Sequence, residues 1–200
     1  LASVTGTLAA TVDGTLPPGP ATGATAGAAT AGAAVLGAAT AGAATPDAAV
    51  LGAATAGAAR LAAAMDAEVM LLDRSPERLR NLEADRRGRL MSIVSSQGLL
   101  ERLIPTTDLL IGAVLTPGGR APTLVNEQMV RQMKRNSVIV DVAIDQGGCV
   151  ETSKPTTHAE PTFVIDDVVH YCVSNMPGGV PMTSTLALNA ATLPYILKLA

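Results

Sequence analysis

The stretch Ser137-Val-Ile-Val-Asp-Val-Ala-Ile-Asp-Gln-Gly-Gly148 decides the fold. A run of Val and Ile without polar alternation reads as a strand buried on both faces, as a central parallel strand is. It predicts a strand over residues 138–144 that stops at Asp145, Gln146 and two glycines. In open α/β sheets ligands gather outside the carboxyl ends of strands, and Gly147-Gly148 lets the backbone come close to whatever binds there. The polar end of the strand is therefore a candidate site. The plainer alternative is a strand followed by an ordinary Asp/Gly turn.

Strand and helix signals alternate on both sides of this stretch. Upstream, 48–51 reads as a strand, 52–57 as a turn, 58–65 as a helix and 67–72 as a strand ending at Asp73, a βαβ unit with an acid at the tip of its second strand. Ser75-Pro76-Glu77 starts a helix reaching about residue 84, with Ser75 as cap and Pro76 at the first helical position. Residues 90–94 form a strand, 97–104 a helix and 108–112 a strand, and Asn126 caps a helix reaching 134. Downstream, 168–173 is a strand and 183–199 a closing helix. This alternation predicts an α/β fold over 47–200, a Rossmann-like doubly wound parallel sheet.

Residues 1–46 are Ala, Gly, Thr and Pro with almost no large side chains, so they cannot bury enough apolar area to offset ordering entropy. They are expected to form a disordered or poorly packed low-complexity segment. Within it, Ala33-Ala-Val-Leu-Gly-Ala-Ala-Thr-Ala-Gly-Ala-Ala44 recurs identically as residues 48–59. With no supersecondary unit between the copies, this reads as local sequence expansion, not a solenoid repeat. Leu1 in place of an initiator Met reads as a fragment or a processed chain.

A net charge of -3, two Tyr, one Phe and no Trp give no footprint for nucleic acid. Cys149 and Cys172 fall in no metal-ligand pattern and read as buried free thiols in a reducing compartment, the cytoplasm. No basic n-region with a leucine-rich core marks a signal peptide. Residues 23–57 carry one charge, Asp47, but are too weakly apolar for a membrane span.

The turn Gly52-Ala-Ala-Thr-Ala-Gly57 approximates the dinucleotide fingerprint. Gly52 would make the tight turn and Gly57 the close helix–strand contact, with N–H groups at the helix start facing a pyrophosphate. Ala54 replaces the middle glycine, and Ala/Gly-rich sequence produces such spacings by chance. Asp73 strengthens the motif: a strand-end acid accepts from ribose hydroxyls and repels a 2′-phosphate, favouring NAD over NADP. Arg74 beside it works the other way, and a simple turn-capping Asp is the alternative.

Three long segments carry something more specific. Asp108-Leu-Leu-Ile-Gly-Ala-Val-Leu-Thr-Pro-Gly-Gly-Arg-Ala-Pro122, Val138-Ile-Val-Asp-Val-Ala-Ile-Asp-Gln-Gly-Gly-Cys-Val-Glu151 and His170-Tyr-Cys-Val-Ser-Asn-Met-Pro-Gly-Gly-Val-Pro-Met-Thr-Ser-Thr185 closely resemble the cofactor domain of alanine dehydrogenase, over residues 46–200. The resemblance implies NAD as cofactor, with Asp73 and Arg78 at the adenosine end and Ser95 nearby. Val114 and Leu115 would line the pocket, and Val142, Ala143, Ile144 and Asp145 would run beneath the nicotinamide. Lys154 would be a basic cofactor contact, with Val173, Ser174, Asn175 and Met176 closing the other wall. Asp145 would be the catalytic acid/base and Asn175 would orient the reacting groups, while His158 and His170 read as structural. The implied reaction is reversible oxidative deamination of L-alanine to pyruvate and ammonia, in an assembly that is commonly hexameric in the family.

Three departures stand against the pattern. The family's substrate-gripping Lys and His belong to a separate N-terminal domain that residues 1–46 do not match. The helix after Gly57 is about two residues short, and Asp66 stands where the family usually has Gly. A cofactor domain alone is expected to bind NAD without catalysis. Two other readings stay open: the NAD-binding domain of a transhydrogenase alpha subunit, which typically lacks an acid at the position of Asp145, and a non-catalytic NAD-binding or assembly module.

Overall fold

The structure, a computed structural model, describes residues 47–51, 56–83, 90–114, 116 and 118–199. The low-complexity segment 1–46 and the turn residues 52–55 lie outside the described residues. Two compact units divide the described chain, one ending at Ser174 and the other beginning at Asn175.

The first unit is a seven-stranded sheet of order β3-β2-β1-β4-β5-β7-β6. Its strands are β1 Asp47–Leu51, β2 Glu68–Asp73, β3 Leu90–Val94, β4 Leu109–Gly112, β5 Val138–Asp141, β6 Thr162–Ile165 and β7 Val168–Tyr171. All pairings are parallel except the edge hairpin β6–β7. The order reverses between β1 and β4, the switch point of a doubly wound sheet. Helices α1 Ala56–Ala64, α2 Pro76–Glu83, α3 Gln97–Leu103 and α4 Glu127–Val130 make the crossovers.

Both faces of the sheet are covered, which explains the unbroken apolar strands. One core joins Leu72, Leu110 and Ile139 to Leu100, Ile104, Met129 and Val130 from α3, α4 and the turn after α3. The other joins Val69, Leu71, Leu109, Ile111 and Val138 to Ala59, Ala62, Ala63 and Leu79 from α1 and α2. Adjacent strand residues alternate between the two cores, as a period of two requires. The buried face of α1 is entirely Ala, so that helix can approach the sheet closely.

Four elements differ from the sequence reading. The apolar run from Val138 leaves the sheet at Asp141 and becomes a 3-10 turn, Val142–Gln146, because the Asp141 carboxylate accepts the N–H of Ala143 and caps a turn. Helix α4 has a single turn, Glu127–Val130, capped by Asn126 as expected, and gives way to turns before Lys134. Strand β7 ends at Tyr171, beyond which Val173 makes an isolated bridge to Thr156. Strand β6 was not anticipated; it enters β7 through Asp166 and Asp167, both at positive φ (51° and 62°), the backbone of a two-residue hairpin turn.

Ion pairs cluster at the N-terminal edge of the sheet. Lys134 Nζ lies 2.9 Å from Asp108, and Arg135 and Arg131 reach Asp167 and Asp166 at 3.2 and 3.5 Å. The second unit carries a 3-10 turn, Met176–Gly179, and helix α5, Pro181–Leu199, whose Ser184 hydroxyl donates to the Pro177 carbonyl at 2.8 Å. No helix among the described residues is long and apolar enough to cross a membrane.

Candidate functional site

Because β1, β2, β3, β4, β5 and β7 run parallel, the segments that follow them emerge at one edge of the sheet. Most of the candidate residues lie on those segments, which is how the fold assembles positions far apart in sequence. Gly57 lies in the first turn of α1, Asp73 ends β2, Ser95 follows β3, Val114 follows β4, 142–145 follow β5 and Ser174 follows β7.

On the β1–β3 side, Asp73 is 8% exposed and its Oδ1 accepts the N–H of Ser75 at 2.7 Å. The N–H of Ser95 donates to the Asp73 carbonyl at 2.9 Å, which ties the ends of β2 and β3 together. Arg78 is exposed on α2, with its N–H on the Ser75 hydroxyl at 3.3 Å. Gly57 does not make the expected close contact with a strand: an ideal Cβ there meets no heavy atom within 4 Å. Fully buried Ala59 takes the packing position instead. Gly52 lies outside the described residues.

The β4–β5–β7 side is tighter. A 3-10 turn eclipses side chains three apart, and Val142 and Asp145 are the exposed pair while Ala143 and Ile144 are buried at 6% and 4%. Of the four residues expected beneath a nicotinamide, Val142 and Asp145 present side chains outward as an apolar surface beside a carboxylate. Ala143 and Ile144 face the core. Val173 is likewise fully buried, Val114 and Ser174 are half-buried, and Leu115 lies outside the described residues.

Gly147 and Gly148 have φ of 93° and 77°, conformations that L side chains rarely adopt. The space beside them is filled from within the chain. A Cβ at Gly147 would stand 2.7 Å from Arg120 Nε, and one at Gly148 2.9 Å from Asp141 Oδ2. Within the chain itself, the two glycines thus allow the close approach of Arg120 and Asp141. The β4 crossover is strapped to the same loop: Gln146 Oε1 accepts the N–H of Thr116 at 3.1 Å, and its carbonyl accepts that of Ala121 at 2.9 Å.

Asp141 is the residue that sequence reasoning missed. It is completely buried, and its carboxylate accepts N–H groups from Ala143 (3.1 Å), Cys149 (2.9 Å) and Val150 (3.2 Å), with the Cys149 thiol at 3.5 Å. Burial pushes the Cys149 thiol up, and the charge and hydrogen bond of Asp141 add to it; burial also raises Cys172. Both are free thiols. The only available signal was an acid inside an apolar run, which is rarely buried without partners.

Lys154 is exposed, with Nζ 4.4 Å from the centre of the Phe163 ring. Phe163 stacks on His170 at 4.8 Å. His170 is fully buried; its Nδ1 donates to the Val168 carbonyl at 3.0 Å, which leaves Nε2 to accept from the Thr152 hydroxyl at 2.8 Å. Burial lowers its pKa below the ordinary 6.5. Asn175 and Met176 belong to the second unit, where Asn175 has left-handed φ and ψ of 54° and 51° and opens the 3-10 turn.

A doubly wound sheet with strand-end carboxylates and a glycine-bearing loop at its carboxyl edge defines a Rossmann-like α/β domain. The model of the family "Alanine dehydrogenase/PNT, C-terminal domain" matches residues 18–200, and the chain belongs to that family. It is 56% identical over 140 residues to the alanine dehydrogenase of Halomonas elongata, an alignment covering 70% of this chain and 38% of that protein. Among solved structures, an L-alanine dehydrogenase superposes with a TM-score of 0.71 at 49% identity, covering 77% of this chain and 43% of that one. The transhydrogenase from Sinorhizobium meliloti superposes at 0.63 with 27% identity, covering 76% and 43%. The chain thus spans well under half the length of the relatives it matches.

Proposed function

We propose that this chain binds NAD across the carboxyl edge of its sheet and is the cofactor-binding part of an NAD-dependent alanine dehydrogenase. The observation that carries the reading is the pairing of Val142 and Asp145 on the exposed face of the turn after β5, at the same sheet edge as the strand-end Asp73. Asp73 would hold the adenosine ribose, with Arg78 and Ser95 beside it, and the first turn of α1 around Gly57 would face the pyrophosphate. Val142 would underlie the nicotinamide, with Val114, Lys154 and Ser174 completing the walls. The buried Ala143, Ile144 and Val173 would shape the pocket from behind.

NAD, when bound, supplies the hydride acceptor for the Cα of the amino acid. The chain's own contribution is Asp145, an exposed carboxylate that can take a proton from the water adding to the imine carbon and return it to the departing nitrogen, yielding pyruvate and ammonia. L-alanine oxidation, a cytoplasmic location and a hexamer belong to this reading as properties of the whole protein. The greater similarity to the alanine dehydrogenase structure, 49% against 27% identity, and the acid at position 145 favour it over a transhydrogenase.

Calorimetric titration with NADH and NADPH tests the cofactor assignment. Saturable NADH binding, weaker NADPH binding and loss of both preference and affinity in Asp73→Ala are expected. An absence of saturable NADH binding would sink the reading. NADH formation from NAD and L-alanine then separates an active enzyme from a binding module.

A further inference from the structure

We infer that Asp141 is a positioning residue for the nicotinamide half of the cofactor site, acting through the loop that carries Val142 and Asp145; the inference rests on the NAD-binding reading above. One carboxylate holds both ends of that loop. Oδ1 accepts the N–H of Ala143, two residues after the strand end, while Oδ2 accepts those of Cys149 and Val150, where the loop returns. The exposed Val142 is held between Asp141 and the first anchor, and the exposed Asp145 and the two positive-φ glycines run between the first anchor and the second.

The fit around the carboxylate leaves little freedom. Gly148 must lack a side chain, since its Cβ would stand 2.9 Å from Oδ2. Gly112 must lack one too, because a Cβ there would sit 2.3 Å from the Cys149 Sγ that rests against Oδ1. Three N–H donors converging on two oxygens require an acceptor on both sides of the group. An Asn offers one oxygen and one NH2, so one end of the loop meets a donor facing a donor. Asp141 makes no outward contact that a ligand could use, being completely buried. Its effect on the cofactor therefore passes through the loop, by fixing Val142 and Asp145 before anything binds.

The test compares NADH with ADP-ribose, which carries the adenosine and both phosphates but no nicotinamide. Asp141→Asn is expected to weaken NADH about tenfold or more while leaving ADP-ribose within about twofold, because the adenosine side stands on other strands. Asp141→Ser, which keeps a capping hydroxyl for Ala143 and cannot reach Cys149 or Val150, is expected to do the same. Hydrogen exchange on the unmodified chain adds a measurement that needs no variant: NADH, and not ADP-ribose, should slow exchange across residues 142–150. Equal loss of both ligands in variants that still fold would reduce Asp141 to a general fold residue and overturn the inference. Unchanged NADH affinity, or equal protection of the loop by both ligands, would overturn it as well. Failure of the unmodified chain to bind NADH would instead sink the cofactor reading itself.

Discussion

Asp73 and Asp141 both end a parallel strand, both follow apolar residues and both are nearly or fully buried, yet they are built for different tasks. Asp73 keeps 8% of its surface open and takes the N–H of Ser75, two residues on. Asp141 keeps none, and gathers donors from residues two, eight and nine positions away. The first carboxylate ends β2 at the carboxyl edge of the sheet, where the proposed reading puts a ribose; the second is fully buried and holds a loop. A strand-end acid is thus legible as a loop anchor only once its distant donors are known.

The sharpest way to break this contrast is to remove each carboxylate. Asp141→Ala leaves three buried N–H groups without their acceptor, and at about 1–3 kcal/mol each the chain should lose roughly 3 kcal/mol or more of stability in denaturant unfolding. Asp73→Ala should cost less stability than that and, on the proposed NAD reading, abolish preference for NADH. Equal losses of stability would erase the distinction.

Next in size is Gly112→Ala, whose new methyl would force Cys149 Sγ from its place 2.3 Å away. Overpacking of this kind costs about 1–3 kcal/mol, and adding Cys149→Ala should recover most of it. A double variant as unstable as the single one would show that the thiol is not what fills that space.

His170 extends the tight side of the comparison to β7. Its native pKa is depressed by burial, so the unfolded chain binds the proton more readily. The stability that neutral His170 contributes is complete above pH 6.5 and falls as pH drops through that value toward its lower native pKa. Melting temperatures across this range should show the fall in the unmodified chain and a shallower one in His170→Gln. The smallest effect belongs to the β1–β3 side: Asp66 enters β2 at φ 65°, and Asp66→Gly should stabilise by about half a kcal/mol.

Much of the sheet was readable because its strands are continuous apolar runs and its helices carry local caps. Ser96 and Asn126 both accept the N–H groups that a cap should. The end of β5 was not readable, since Val142, Ala143 and Ile144 look like more strand, and only the long-range donors to Asp141 reveal the turn. Strand β6 escaped for a related reason: its turn uses Asp166-Asp167, where Asn-Gly or Asp-Gly would have announced a hairpin. At the candidate site, Asp73 and Asp145 stand out in the sequence as polar ends of apolar runs. The inward orientation of Ala143, Ile144 and Val173 was not, because a family pattern gives positions and not side-chain directions.

The claim that NAD lies across the carboxyl edge is tested most directly by mapping amide chemical-shift changes as NADH is added to the labelled chain. Saturable changes should concentrate at Asp73, Ser75, Ser95, Val114 and residues 142–145. Asp108, Lys134, Asp166 and Asp167, at the opposite edge, should stay still. Changes centred on that opposite edge, or none that saturate, would contradict the account.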